Sequence, residues 1–149
     1  GQTGFFFTPD DGEELIARKK DWFDNAIPSG NSSMAHVLAM LHALTGKGDY
    51  AQALNRLRRC YAGYAERLPN GVAHALSAFT QEAMGIAVVK TKGDYSPRAL
   101  HRALLERPWR RVFVLDASRE DAQPAGLQVC VGSQCLEPLE DPAAVAETL

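Results

Sequence analysis

The chain has 149 residues, 46% of them hydrophobic and 23% charged, with 16 Lys and Arg against 18 Asp and Glu. That length fits one domain, or one domain with a small appendage, and the apolar content is enough for a core. A net charge of −2 excludes a general attraction to nucleic acid or membrane, and no apolar run approaches the ~18 residues of a membrane span. The bases are unevenly placed. None follows Arg119, and six acids do: Glu120, Asp121, Glu137, Glu140, Asp141 and Glu147. Residues 1–119 therefore carry sixteen bases and twelve acids, too small an excess to mark a nucleic-acid surface. The opening residues lack the basic and apolar regions of a signal peptide, and three Cys suit a reducing compartment, so the expected location is cytoplasmic.

In chain order, "GFFFT" is aromatic and β-branched, stops at Pro9, and reads as a strand. "DDG" reads as a turn and "ELIARK" as a returning strand, which makes a hairpin at residues 4–19. A helix over residues 10–24 competes, because Glu13, Glu14, Leu15 and Ala17 suit either state. Asn31–Thr45 is a predicted helix with Met34, Val37, Leu38, Leu41 and Leu44 on its inner stripe. Asn31, Ser32 or Ser33 would cap it and Gly46 would end it. A second helix follows, with Asp49 as cap, Pro69 as stop, and Tyr50, Leu54, Leu57, Tyr61, Tyr64 and Leu68 inward. A third spans about Gly71–Ala83, with Val72, Leu76 and Phe79 inward. The short links "GKGD" and "PNG" make successive helices antiparallel neighbours.

The pattern changes near Gly85. "GIAVVK" has the continuous apolar character of a strand covered on both faces. "SPRALHRALLER" is a helix with Ser96 as cap and Pro97 at its first position, and "RVFVLD" is a second buried strand. Strand, helix and strand form one βαβ unit with parallel strands. "GLQVCVGSQCLEP" reads as a hairpin, and Asp141-Pro142 opens a closing helix. The expected fold is α+β, mainly α: residues 1–84 hold the hairpin and three helices, and residues 85–149 a small α/β segment.

Cys130 and Cys135 carry the first candidate chemistry. A two-residue turn at Gly132-Ser133 would set them directly opposite, close enough for a cross-strand disulfide. The plainer expectation for a cytosolic chain is two small, half-buried free thiols. Zinc needs about four ligands, and no further Cys or His pair has ligand spacing, so no metal is expected. Cys60 sits beside the apolar stripe of the second helix, where packing explains it. His36, His42, His74 and His101 are scattered and make no i, i+4 pair. "TKGDYSP" lies between strand and helix, where an anion could bind, but it lacks any phosphate-loop pattern, so no nucleotide cofactor is expected.

The stretch "KDWFDNAIPSGNSS", residues 20–33, is the densest polar cluster. With Arg18 and Lys20 upstream, Asp21, Asp24, Ser29 and Asn31 would serve acid–base work or hold sugar hydroxyls, the two Asp being the catalytic candidates. The alternative is turn and cap chemistry with solvated charges, and it is the favoured one.

Two segments resemble a known family. "GFFFTPDDGEELIARKKDWFDNAIPSGNS" is similar to the G-(F/Y)-F-F-T…L-I-x-R-x-K-D-x-x-D-x-A-x-P-S-G-N-S signature of the thioredoxin-domain-containing, spermatogenesis-associated protein family. "VCVGSQCLEPLEDPAAV" resembles its closing C-x(4)-C-x-x-P-x-x-D-P pattern. Trp22-Phe23 and Asn25 depart from the usual Tyr and Gly. Such proteins join a thioredoxin-like domain to a helical (α/α) toroid like that of six-hairpin glycosidases and sugar epimerases, and end in a small α/β segment. The resemblance implies the hairpin at residues 4–19. It also implies that Arg18, Lys20, Asp21, Asp24, Ser29 and Asn31 face a central cavity, and that this chain is the C-terminal part alone. The expected function is a non-catalytic module supplying a cavity wall. Its partners would be a second copy or the missing N-terminal domains; neither nucleic acid nor membrane is expected. A carbohydrate-active site at Asp21 and Asp24, or a redox role for Cys130 and Cys135, is the alternative.

Overall fold

The computed structural model of the chain describes residues 3–12, 16–105, 111–119, 125–132 and 134–149. By contact the chain divides into two units, one of residues 1–42 and 47–83, the other of residues 43–46 and 84–149. Together the described residues make an α+β fold with five α-helices and a four-stranded mixed sheet.

The first unit opens with an arm rather than a ladder. Residues 3–12 and 16–28 contain neither strand nor helix among the described positions. The Phe7 N–H donates to the Lys19 carbonyl at 2.9 Å and Lys20 Nζ to the Thr3 carbonyl at 2.7 Å, so the two arms are tied at single points. The middle of the expected hairpin, residues 13–15, lies outside the described residues. The competing helix does not form over residues 16–24.

Helix α1 is Gly30–Thr45. Its cap is Ser29, not Asn31, Ser32 or Ser33. Ser29 Oγ accepts from the Ser32 N–H at 3.2 Å, and the Ser29 carbonyl takes the first helical bond, from Ser33 N–H at 2.9 Å. Gly46, at φ 67°, ends the helix in the left-handed region that Gly reaches without a Cβ clash. The buried face is also rotated from the expected stripe. It is Asn31, Ser32, Ala35, His36, Leu38 and Ala39; Met34 and Leu41 are half-buried and Val37 is exposed.

Helix α2, Gly48–Arg67, buries Leu54, Leu57 and Tyr61. Lys47 occupies its cap position and makes no side-chain capping bond. Asp49 lies instead in the first turn, where its charge suits the amide end of the helix dipole. A 3₁₀ turn at Pro69–Val72 leads into α3, Ala73–Met84. Tyr61 stacks near Phe79, with centroids 6.0 Å apart, and Arg58 pairs with Glu82. These contacts run in opposite senses along α2 and α3, as antiparallel neighbours require.

In the second unit β1, Ala87–Lys92, pairs in parallel with β2, Val112–Asp116, and antiparallel with β3, Gly126–Val131. The order is β2-β1-β3-β4, where β4 is Gln134–Cys135. β1 is central, and both of its faces are buried: Ala87 and Val89 are 0% exposed and Val88 is 3%. β2, expected to be buried too, is instead an edge strand: none of its residues is buried and Val114 is 49% exposed. Helix α4, Pro97–Leu105, connects β1 to β2 and is capped by Ser96, whose Oγ accepts from the Ala99 N–H at 3.3 Å. Helix α5, Pro142–Thr148, is capped by Asp141 through the Ala143 N–H at 2.9 Å. Val89, Leu100, Leu127, Val129 and Val145 form one buried cluster that binds α4 and α5 to the sheet.

Candidate functional site

The loop before α1 is organised around Asp24. Its Oδ1 accepts from the Ser29 N–H at 2.9 Å and from Ser32 Oγ at 2.6 Å; its Oδ2 accepts from the His74 N–H at 2.9 Å. His74 is the second residue of α3, so one carboxylate serves the N-terminal ends of two helices, α1 and α3. The Asp24 N–H in turn donates to the Gly71 carbonyl at 2.7 Å. Burial pushes the Asp24 carboxyl up, but the bonds from Ser32, Ser29 and His74 outweigh it, and its pKa lies below the usual carboxylate value.

Behind Asp24 runs a buried chain of hydroxyls. Ser29 is 1% exposed, and Ser32 and Tyr61 are 0%. Ser32 Oγ gives its proton to Asp24, Ser29 Oγ donates to Ser32 Oγ at 3.0 Å, and the Tyr61 hydroxyl stands 3.3 Å from Ser29 Oγ. An ionised carboxylate only accepts, so the polarity of the whole chain is set at its end. Ser29 has spent its proton on Ser32, and Tyr61 is therefore the donor to Ser29. Trp22 meets Tyr61 edge-on, with centroids 5.4 Å apart.

Asn31 works in the opposite direction, toward the arm. Its Oδ1 accepts from the Phe5 N–H at 2.7 Å, and its Nδ2 donates to the Phe5 carbonyl at 3.0 Å and the Asp21 carbonyl at 2.8 Å. One side-chain amide thus supplies both partners that a strand would have offered Phe5. Arg18 stacks over the Phe6 ring at 4.2 Å, pairs with Asp10, and donates to Thr8; Lys20 lies 4.4 Å from the same ring.

The structure thus joins Asp24 to Ser29 and Asn31 to the Asp21 backbone, while Arg18 and Lys20 engage the arm. Ser29 and Asn31 are buried, Asp24 is half-buried and fully engaged, and Asp21 is exposed and meets Asn31 through its carbonyl. Arg18 borders an open hollow of about 350 Å³ with Gly4, Phe5 and Asp10; another, of about 440 Å³, has Trp22, Cys60 and Tyr64 on its wall. Sequence reasoning missed the pairing of His36 and His74. Their rings are 4.2 Å apart and His36 Nε2 lies 3.0 Å from the His74 carbonyl. They sit on different helices, 38 positions apart, and no local pattern links them. Among the described residues no group of three or more His, Cys, Asp and Glu could hold a metal ion. No described helix is long and apolar enough to cross a membrane.

In the second unit Cys130 and Cys135 face each other across β3 and β4 and are joined by a disulfide, not left as the free thiols expected. The register sets the two side chains on one face at directly opposed positions, which brings the sulfurs within bonding reach. Cys60 is free and half-buried.

Compared with protein-family models, with curated proteins and with solved structures, the chain matches none.

Proposed function

We propose that this chain is a non-catalytic structural module, the C-terminal part of a protein like the thioredoxin-domain-containing, spermatogenesis-associated family. On this reading α1–α3 are a section of a larger (α/α) toroid, and the arm and loop at residues 16–32 lie at the rim of its hollow. The observation that carries the reading is the apolar stripe displaced on α1. Met34 and Leu41 are half-buried and Val37 is 38% exposed, although their spacing is that of a core face. Phe7 and Ile27, each 76% exposed, and Leu68, at 52%, add to the uncovered apolar surface. Such surface favours a covering partner, either further helices of a parent protein or a second copy.

The polar cluster supports the same reading. A sugar-processing pair of carboxylates must both reach the ring they act on. Asp24 instead spends its oxygens on Ser29, Ser32 and His74. Sedimentation velocity over a concentration series tests the module reading. Reversible self-association that weakens on Val37→Glu supports it. Self-association that Val37→Glu leaves unchanged, or turnover of a glycoside that Asp21→Asn abolishes, overturns it.

A further inference from the structure

We propose that the Cys130–Cys135 bridge is a thiol–disulfide exchange site, attacked at Cys135 by the thiolate of a dithiol reductant. Three observations carry it. First, the two cysteines differ in access: Cys130 is 5% exposed and Cys135 is exposed, so Cys135 is the residue an incoming thiolate can approach. Second, the bridge lies at the margin of the sheet. β4 has two residues and, among the described residues, pairs only with β3. Third, the segment after it is held independently. The Leu136 N–H donates to the Val129 carbonyl at 2.9 Å, Gln128 Nε2 to the Leu136 carbonyl at 3.0 Å, and Leu127 and Leu139 exchange backbone bonds at 2.7 and 2.9 Å. The bridged residues are 5 apart, and so short a loop constrains the unfolded chain less than a long crosslink would. The bond can therefore open and close while its surroundings stay folded.

In the exchange, the attacking thiolate forms a bond to Cys135 Sγ, and the Cys130–Cys135 bond breaks with its electron pair on Cys130 Sγ, which takes a proton from water. The second thiolate of the reductant then attacks its own partner sulfur and releases Cys135 as a thiolate. The protein gains two electrons and the dithiol becomes a disulfide.

Native-state reduction tests this, in a Cys60→Ala background so that two sulfurs report. Dithiothreitol without denaturant should yield two alkylatable thiols, with faster amide exchange at residues 134 and 135 and unchanged exchange at Leu127, Leu136 and Leu139. Glutathione should leave its mixed disulfide on Cys135 by peptide mapping. In single variants, Cys135 of Cys130→Ser should react about tenfold faster with an aromatic disulfide than Cys130 of Cys135→Ser. Thiols that appear only in denaturant, or a mixed disulfide mapped to Cys130, overturn the proposal.

Discussion

Asp24 and His74, 50 positions apart, are joined by a 2.9 Å hydrogen bond from the His74 backbone N–H to Asp24 Oδ2. That bond fastens the loop before α1 to the start of α3, while the other carboxylate oxygen holds Ser29 and Ser32. Asp24 is thus the fixed point of the first unit, and its chemistry sets what substitution and acid should do.

Asp24→Asn keeps the volume but turns one acceptor oxygen into a donor facing N–H or O–H groups. Loss of charge-assisted bonds at two helix ends should lower stability by about 2 kcal/mol. Urea denaturation followed by far-ultraviolet circular dichroism measures it. Ser32→Ala should cost less, and the double variant less than the sum, because both remove the same bond.

Acid should erase the difference between wild type and Asp24→Asn. The folded pKa of Asp24 lies below its unfolded value, so its contribution is complete above the unfolded value of about 4 and is lost as pH falls through the folded one. Stability curves of the two proteins should run parallel near neutrality and converge in acid. A gap that persists at the lowest pH where both fold would contradict the assignment.

Tyr61 should ionise well above the ordinary tyrosine value. Burial pushes its hydroxyl up to about 12, and the charges of Asp24 and Asp21 add to the rise. Since the folded value is raised, the stabilising effect is whole below the unfolded value of about 10 and fades as pH climbs through the folded one. Tyrosinate absorbance should show one late phase coupled to unfolding, absent in Tyr61→Phe. That variant should lose about 1 kcal/mol at neutral pH, the worth of one buried hydroxyl bond.

Gly4→Ala probes the arm. Gly4 has φ 78°, and a Cβ there would lie 2.6 Å from Trp22 Cζ2 and 3.0 Å from Asn31 Oδ1. The left-handed backbone alone costs about 1–2 kcal/mol for a non-Gly residue. The arm should detach from Asn31 and Trp22 before the helices melt, so tryptophan fluorescence should shift red at lower urea than the helical signal.

Much of the second unit could be read along the chain. Ser96-Pro97 and Asp141-Pro142 announce their helices because cap and first-turn chemistry is local. The opposition of Cys130 and Cys135 follows from the turn length alone, since register in a hairpin is fixed by its loop. Whether the sulfurs are joined is a different matter, and there the expectation of free thiols failed. In the first unit the same logic located α1 but misplaced its cap and its inner face. Ser29, Asn31, Ser32 and Ser33 all have cap chemistry; Asn31 is taken by Phe5, and Ser32 by Asp24.

By itself, then, the sequence determined the order of the five helices and of the strands in the second unit, and that a polar loop precedes α1. These depend on side-chain period and on bonds spanning only a few residues. The tertiary structure alone decided that Asp24 would reach His74, that Tyr61 would end the hydroxyl chain, and that His36 would lie against His74. Those partners are 32 to 50 positions apart, and only packing chooses among the many donors one carboxylate could serve.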